Sequence, residues 1–477
     1  MTAIESINPA SGEKVGEYAE MTAGEAAAIV ERSHAAHLDW RRTSFAHRGG
    51  LMRRASALLR ERAGEYAELM AREMGKPLAA GRAEAQKCAW VCEHYADHAE
   101  AFLADEEVAT EAKRSFVTFR PLGVVLAVMP WNFPFWQVFR FAAPGLMAGN
   151  AGVLKHASNV FGCAVAIEDV FHQAGFPDHL FRSLLIGADK VDAVIAHPRV
   201  AAVTLTGSTP AGKAVAARAG ACLKKTVLEL GGSDPYLVLA DADLGKTVES
   251  CVASRLINSG QSCIAAKRFI VVEEVADEFE RRFVEAMRGY RMGDPFRDGV
   301  DVGPQARVDL RDDLHRQVAE SVAAGARLLL GGELPGGPGA FYPPTVLTAV
   351  GPGMPAYDEE LFGPVAAIVR VADEDEAIRV ANDTVFGLGA AVFTADLERG
   401  ERIAAERLEA GCCFVNAPVK SDPRLPFGGV KGSGYGRELG VFGIREFVNV
   451  KTVWVEMPEP VAATSGSRPR GSTPRSP

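Results

Sequence analysis

Between Val124 and Leu239 the chain switches repeatedly between short apolar runs and stretches of helical periodicity, and this alternation restricts its fold more than any other feature. Strands are predicted at Val124–Met129, Gly152–Lys155, Leu184–Ile186, Ala202–Leu205, Thr226–Leu230 and Tyr236–Leu239. Helices are predicted over Trp136–Met147, Val160–Ala174 and Ala211–Ala219. Strands that alternate with helices imply a parallel sheet with crossover helices, hence an α/β class. A second alternating region runs from Asp243 to Asn416, with strands at Phe269–Val272, Val365–Val371 and Ala390–Thr394. At 477 residues the chain exceeds one ordinary core, so more than one domain is expected. The first hundred residues read as helical: Thr22-Ala-Gly-Glu25 has the form of a capping box, and segments over Arg48–Met74 and Ala79–Ala104 are split by Gly75-Lys76-Pro77. Thr464–Pro477, rich in Ser, Pro, Gly and Arg, is expected to be disordered.

A net charge of -9 argues against nucleic acid or an anionic membrane as a partner, although a phosphate site depends on local charge alone. Met1–Ser11 lacks a basic region followed by an apolar core, and no apolar run reaches about 18 residues, so a cytoplasmic location is expected. Eight cysteines are then expected as thiols. Cys88, Cys92, His94 and His98 crowd one predicted helix, but their spacing fits no structural zinc pattern and no metal is expected.

Two stretches carry candidate chemistry. Asn258-Ser-Gly-Gln-Ser-Cys263-Ile264 puts a cysteine in a short polar loop between a helix (Leu244–Ile257) and a strand, where a thiol is presented as a nucleophile or is simply packed. Gly207-Ser-Thr-Pro-Ala-Gly212 follows a strand and opens a helix, which suits a diphosphate but also an ordinary strand-to-helix turn.

Four motifs together resemble those of the aldehyde dehydrogenase superfamily: Met129-Pro-Trp-Asn-Phe-Pro-Phe135, Leu228-Glu-Leu-Gly-Gly232, Gly260-Gln-Ser-Cys263 and Glu360-Leu-Phe-Gly-Pro364. They stand in the family's order, and the likeness covers roughly residues 5 to 457. Within the superfamily, Trp131–Arg140, Asn258–Phe269 and Val419–Gly436 look most like the shorter succinate-semialdehyde dehydrogenases.

The resemblance implies a Rossmann-like cofactor domain (1–113 and 130–228), an α/β catalytic domain (229–432), and a small β oligomerisation segment (114–129 and 433–457). Such a segment would complete a sheet in another copy, which predicts a homodimer or homotetramer. It also implies Cys263 as the nucleophile, the Asn132 side chain with the Cys263 N–H as the oxyanion donors, and Glu229 as the base for thioester hydrolysis. The presence of Glu229 speaks against the branch that passes its acyl group to coenzyme A. For the cofactor it implies Lys155 at the adenine ribose, Gly207 and Ser208 at the diphosphate, and Glu360, Phe362 and Trp131 towards the nicotinamide. Ser158 stands where many NAD-preferring relatives carry a glutamate, so NADP is expected, with NAD as the alternative. Ala265 replaces a second cysteine found in some relatives, which removes one route of redox control.

For the substrate, Trp136 and Arg140 lie one helical turn apart, and an arginine there suits a carboxylated small-molecule aldehyde; helix arginines also commonly pair with an acid. Ser262 and Ser421 are further pocket candidates. The expected reaction is oxidation of succinate semialdehyde to succinate. Two alternatives are an enzyme for uncharged aldehydes, and a catalytically silent binding or structural protein.

Overall fold

All but one residue of the strand Val124–Met129 are buried, as a central strand covered by helices on both faces requires. It pairs in parallel with Ala151–His156 on one side and Val200–Thr206 on the other. In the computed structural model, which describes residues 3–457, these strands form the middle of a six-stranded sheet. The order is Gly434–Tyr435, Lys225–Glu229, Val200–Thr206, Val124–Met129, Ala151–His156 and Phe181–Ser183; only Gly434–Tyr435 runs antiparallel.

A seven-stranded sheet is ordered Arg327–Leu330, Thr345–Thr348, Val365–Val371, Arg268–Val272, Pro235–Val238, Gly389–Phe393 and Cys412–Val415, antiparallel only at its first pair. The chain leaves the first sheet at Glu229 and enters the second at Pro235. The residues between them therefore sit where the two sheets meet. A third sheet joins Val448–Val455, Arg114–Pro121 and Glu106–Glu107.

Several expectations need correction. Val124–Met129 belongs to the six-stranded sheet and not to the β extension, because a strand apolar on both faces needs cover on both. Gly434–Tyr435 likewise completes that sheet beside Glu229. The strand expected at Leu184–Ile186 lies at Phe181–Ser183, paired with Gly152–Leu154. The segment Arg48–Met74 is two helices, Phe45–Glu61 and Ala63–Met74. The hairpin of Ala3–Ile7 with Lys14–Ala19 was hidden within a stretch read as helical. The capping box is formed: the Thr22 hydroxyl accepts the Glu25 N–H at 3.2 Å and the Glu25 carboxylate accepts the Thr22 N–H at 2.8 Å. The expected disordered tail, 464–477, lies outside the described residues.

Candidate active site

The helix Leu244–Leu256 ends in a sharp reversal: Asn258 (φ 52°), Ser259 (φ 58°) and Gly260 (φ 77°) all adopt left-handed backbone. Two such non-glycine residues cost of order 1–3 kcal/mol each and persist only where the surroundings hold them. Here the Asn258 side chain donates to the Asn132 carbonyl at 2.7 Å and the Gln261 carbonyl at 3.0 Å. The Ser259 hydroxyl accepts the Gly303 N–H at 2.9 Å, and Arg255 donates to the Gly260 carbonyl at 2.8 Å. Gly260 is required twice over, because a Cβ there would also overlap the Gly363 carbonyl oxygen.

Lys267 then fixes the loop that follows. Its buried ammonium donates to the Ser262 carbonyl at 2.9 Å and the Cys263 carbonyl at 2.6 Å, and pairs with the Glu360 carboxylate at 3.5 Å. Glu360 also accepts the Gly232 N–H at 3.0 Å. Three of the sequence motifs are thus tied together by direct contacts. The fourth arrives through Asn132, whose side-chain amide donates to the Gln261 carbonyl at 3.1 Å. Just beyond it, the Glu84 carboxylate accepts the N–H groups of Phe135 and Trp136, both at 2.9 Å, and so fixes the start of the helix Trp136–Met147.

Cys263 lies at the junction of two cavities. The first, about 280 Å³, runs between the helices Leu78–Phe102 and Trp136–Met147. Its lining includes Cys263, all four predicted substrate residues (Ser262, Trp136, Arg140 and Ser421), and Lys87, Ile257 and Phe427. The second, about 250 Å³, is lined by Cys263, Asn132, Trp131, Gly207, Ser208, Glu360 and Phe362. Trp131 meets Phe362 edge to face, ring centres 5.7 Å apart.

Burial is the main cause that pushes the Cys263 thiol up to about 12; Arg140 and Lys267 oppose it, and Glu360 and Glu229 add to it. Glu229 is also raised well above the usual carboxylate range by burial, with Arg140 pulling it down and Glu438 pushing it up. No hydrogen-bond donor among the described residues reaches either Glu229 oxygen. Its carboxylate lines neither cavity and rests against Gly428, where a Cβ would stand 2.8 Å from it.

Arg140 is buried and forms an ion pair with Glu438, while also donating to the Thr206 hydroxyl at 3.2 Å and stacking over Phe427. An arginine fork held free for a carboxylate is therefore not what the structure contains. Lys155 and Ser158 are placed by the strand Ala151–His156 and the turn Ser158–Val160, outside both cavities. Lys155 is 8% exposed, and its ammonium has no carboxylate or hydrogen-bond acceptor within reach among the described residues; burial lowers its pKa. A buried, unmatched cation at a strand end fits a ligand rich in hydroxyl or phosphate oxygens. At the expected diphosphate turn, the Gly207 N–H is already given to the Glu229 carbonyl at 2.9 Å, and Ser208 caps the helix Thr209–Ala221.

The sequence model of the aldehyde dehydrogenase family matches residues 1–453. The chain belongs to the aldehyde dehydrogenase family. This aldehyde dehydrogenase is 51% identical over 453 residues to a probable NADP+ succinate-semialdehyde dehydrogenase of Synechocystis sp., covering 95% of this chain and 100% of that protein. It is 50% identical over 455 residues to succinate-semialdehyde dehydrogenase (NADP+) 1 of Mycobacterium bovis, covering 95% and 99% of the two chains. The crystal structure of succinic semialdehyde dehydrogenase from Streptococcus pyogenes with NADP+ superposes with a TM-score of 0.93 at 37% identity, covering 95% of this chain and all of that one.

Three residues of this aldehyde dehydrogenase's site escaped the sequence reading. Lys267, at the start of a strand, carried no sign of burial, and nothing in the sequence linked Glu438 to Arg140. Lys87 did leave a trace. It shares one helix face with the small residues Ala80 and Ala83 and with Glu84, all of which line the first cavity.

Proposed function

We propose that this aldehyde dehydrogenase oxidises succinate semialdehyde to succinate with NADP. The observation that carries the reading is the Cys263 thiol standing where the two cavities meet, with the predicted substrate residues in one and most of the predicted cofactor residues in the other.

The Cys263 thiol gives up its proton to water, the thiolate adds to the aldehyde carbon, and the oxyanion that forms is met by the Asn132 amide and the Cys263 N–H; one such donor contributes roughly 3 kcal/mol of barrier lowering. Bound NADP supplies the acceptor for the hydride. Collapse of the oxyanion leaves a thioester on Cys263, and Glu229 takes the proton of the water that cleaves it. Since the Glu229 carboxylate rests against Gly428, reaching that water takes a rotation of its side chain. Lys155 is the cation for the adenosine ribose and its 2′-phosphate, and Ser158 offers a hydroxyl where a carboxylate would repel that phosphate. Glu360, Phe362 and Trp131 form the nicotinamide end of the second cavity, with Gly207 and Ser208 at the diphosphate.

The reading of a homodimer or homotetramer is supported by the outer strand Val448–Val455, a sheet edge that exposes Val450, Trp454 and Val455. Eight free cysteines support a reducing, cytoplasmic setting. No helix among the described residues is long and apolar enough to cross a membrane.

The ion pair of Arg140 with Glu438 favours a second reading, an enzyme for uncharged aldehydes. The deciding measurement is kcat/KM for succinate semialdehyde and for butanal, each with NADP and NAD. A strong preference for the semialdehyde with NADP supports the first reading, and equal use of the two aldehydes moves the assignment to the second.

A further inference from the structure

We propose that Lys87 is the cation that anchors the substrate carboxylate, with Ser421 beside it as the second hydrogen-bond donor. This rests on the semialdehyde reading above and deepens it.

Arg140 is one cation in a buried cluster with two carboxylates: it pairs directly with Glu438 and is the chief charge that pulls Glu229 towards ionisation. A substrate carboxylate added to that cluster would be a third acid sharing one guanidinium. Lys87 is differently placed. It projects from the helix Leu78–Phe102 into the same cavity, and no carboxylate lies within ion-pairing distance of it among the described residues. The two acids whose charge reaches it are engaged elsewhere, Glu84 with Lys76 and Asp422 with Arg424.

The Lys87 ammonium donates to the Ser421 hydroxyl at 2.8 Å and sits 4.2 Å from the centre of the Trp136 ring. These two contacts fix its position and leave it donor capacity, since an ammonium carries three N–H groups. Burial, with Arg140 adding to it, lowers its pKa to about 8, as expected of a cation that lacks an anion. The wall around it is largely apolar, through Ala83, Trp136, Ile257 and Phe427, so an arriving carboxylate would meet a weakly screened charge. The cavity therefore presents the thiol, a largely apolar wall, and a buried ammonium without a carboxylate partner, with a hydroxyl at hand.

The test compares kcat/KM for succinate semialdehyde and for butanal with NADP, and the inhibition constant of succinate, in the full-length wild type, Lys87→Met, Lys87→Gln and Lys87→Arg. The ratio of the two kcat/KM values should fall by about thirtyfold in the Met and Gln variants, mainly through KM for the semialdehyde. Succinate inhibition should weaken in parallel, and Lys87→Arg should restore most of the ratio. A wild type that prefers the semialdehyde, with a ratio unchanged in both Met and Gln variants, would overturn the role of Lys87 and leave the substrate reading standing. Equal losses on both aldehydes would show that Lys87 only braces the Ser421 loop. A wild type with no preference would overturn the substrate reading and this role with it.

Discussion

The environment of Cys263 makes a quantitative claim about its reactivity. The thiol is pushed from an ordinary 9.0 up to about 12. At 1.36 kcal/mol per pKa unit this amounts to about 4 kcal/mol against the thiolate, so its population at pH 8 falls roughly a thousandfold below that of an ordinary thiol. The assay is the rate of carboxamidomethylation of Cys263 by iodoacetamide in the cofactor-free enzyme, followed by mass spectrometry of its own peptide between pH 6 and pH 10. Reading the peptide matters because Cys222, Cys412 and Cys413 are also partly accessible. The rate should rise about tenfold per pH unit across the whole range, without a plateau, and lie far below that of a free thiol at pH 8. Arg140 is the chief charge that favours the thiolate, so Arg140→Met should slow the reaction further at every pH. A plateau below pH 8.5, or a faster reaction in Arg140→Met, would refute the reasoning. A protonated resting thiol also means that its proton must leave as the aldehyde is attacked, which demands a base or an added positive charge in the working complex.

Glu229→Gln should keep a rapid first turnover of NADPH formation while steady turnover falls by about 10²- to 10⁴-fold; equal loss of both phases would remove Glu229 from the hydrolytic step. Ser158→Glu should raise KM for NADP by roughly tenfold or more and leave NAD turnover nearly intact, as measured by steady-state kinetics; an unchanged KM would detach Ser158 from the phosphate. Gly260→Ala should lower stability by more than about 2 kcal/mol in denaturant unfolding and remove turnover, since φ of 77° is costly for a residue with a Cβ and the Gly363 carbonyl leaves that Cβ no room. A stable, active Ala variant would show that the loop is less constrained than its geometry indicates.

What was legible in the sequence follows the range of the forces involved. The helix Trp136–Met147 and the strand Val365–Val371 were readable with their ends, because periodicity and flanking turns are local. The hairpin near the start was not, since Lys14–Ala19 buries none of its residues fully and small residues such as Gly16 leave little alternation to read. The nucleophile and its motif partners were readable only through likeness. The structure supplies the physical reason the motifs travel together: Gly260 packs on Gly363, Lys267 spans from Cys263 to Glu360, and Glu360 holds Gly232. Change one and its partners lose a contact. Charge compensation was the part that stayed hidden, because it depends on which distant residues meet in space. Arg140 looked available on its own helix, yet Glu438 occupies it; Lys87 drew no attention in the sequence, yet the fold buries it in the first cavity with no carboxylate paired to it among the described residues. The assignment of substrate class therefore turns less on which cations the chain carries than on which of them the fold leaves without an anion.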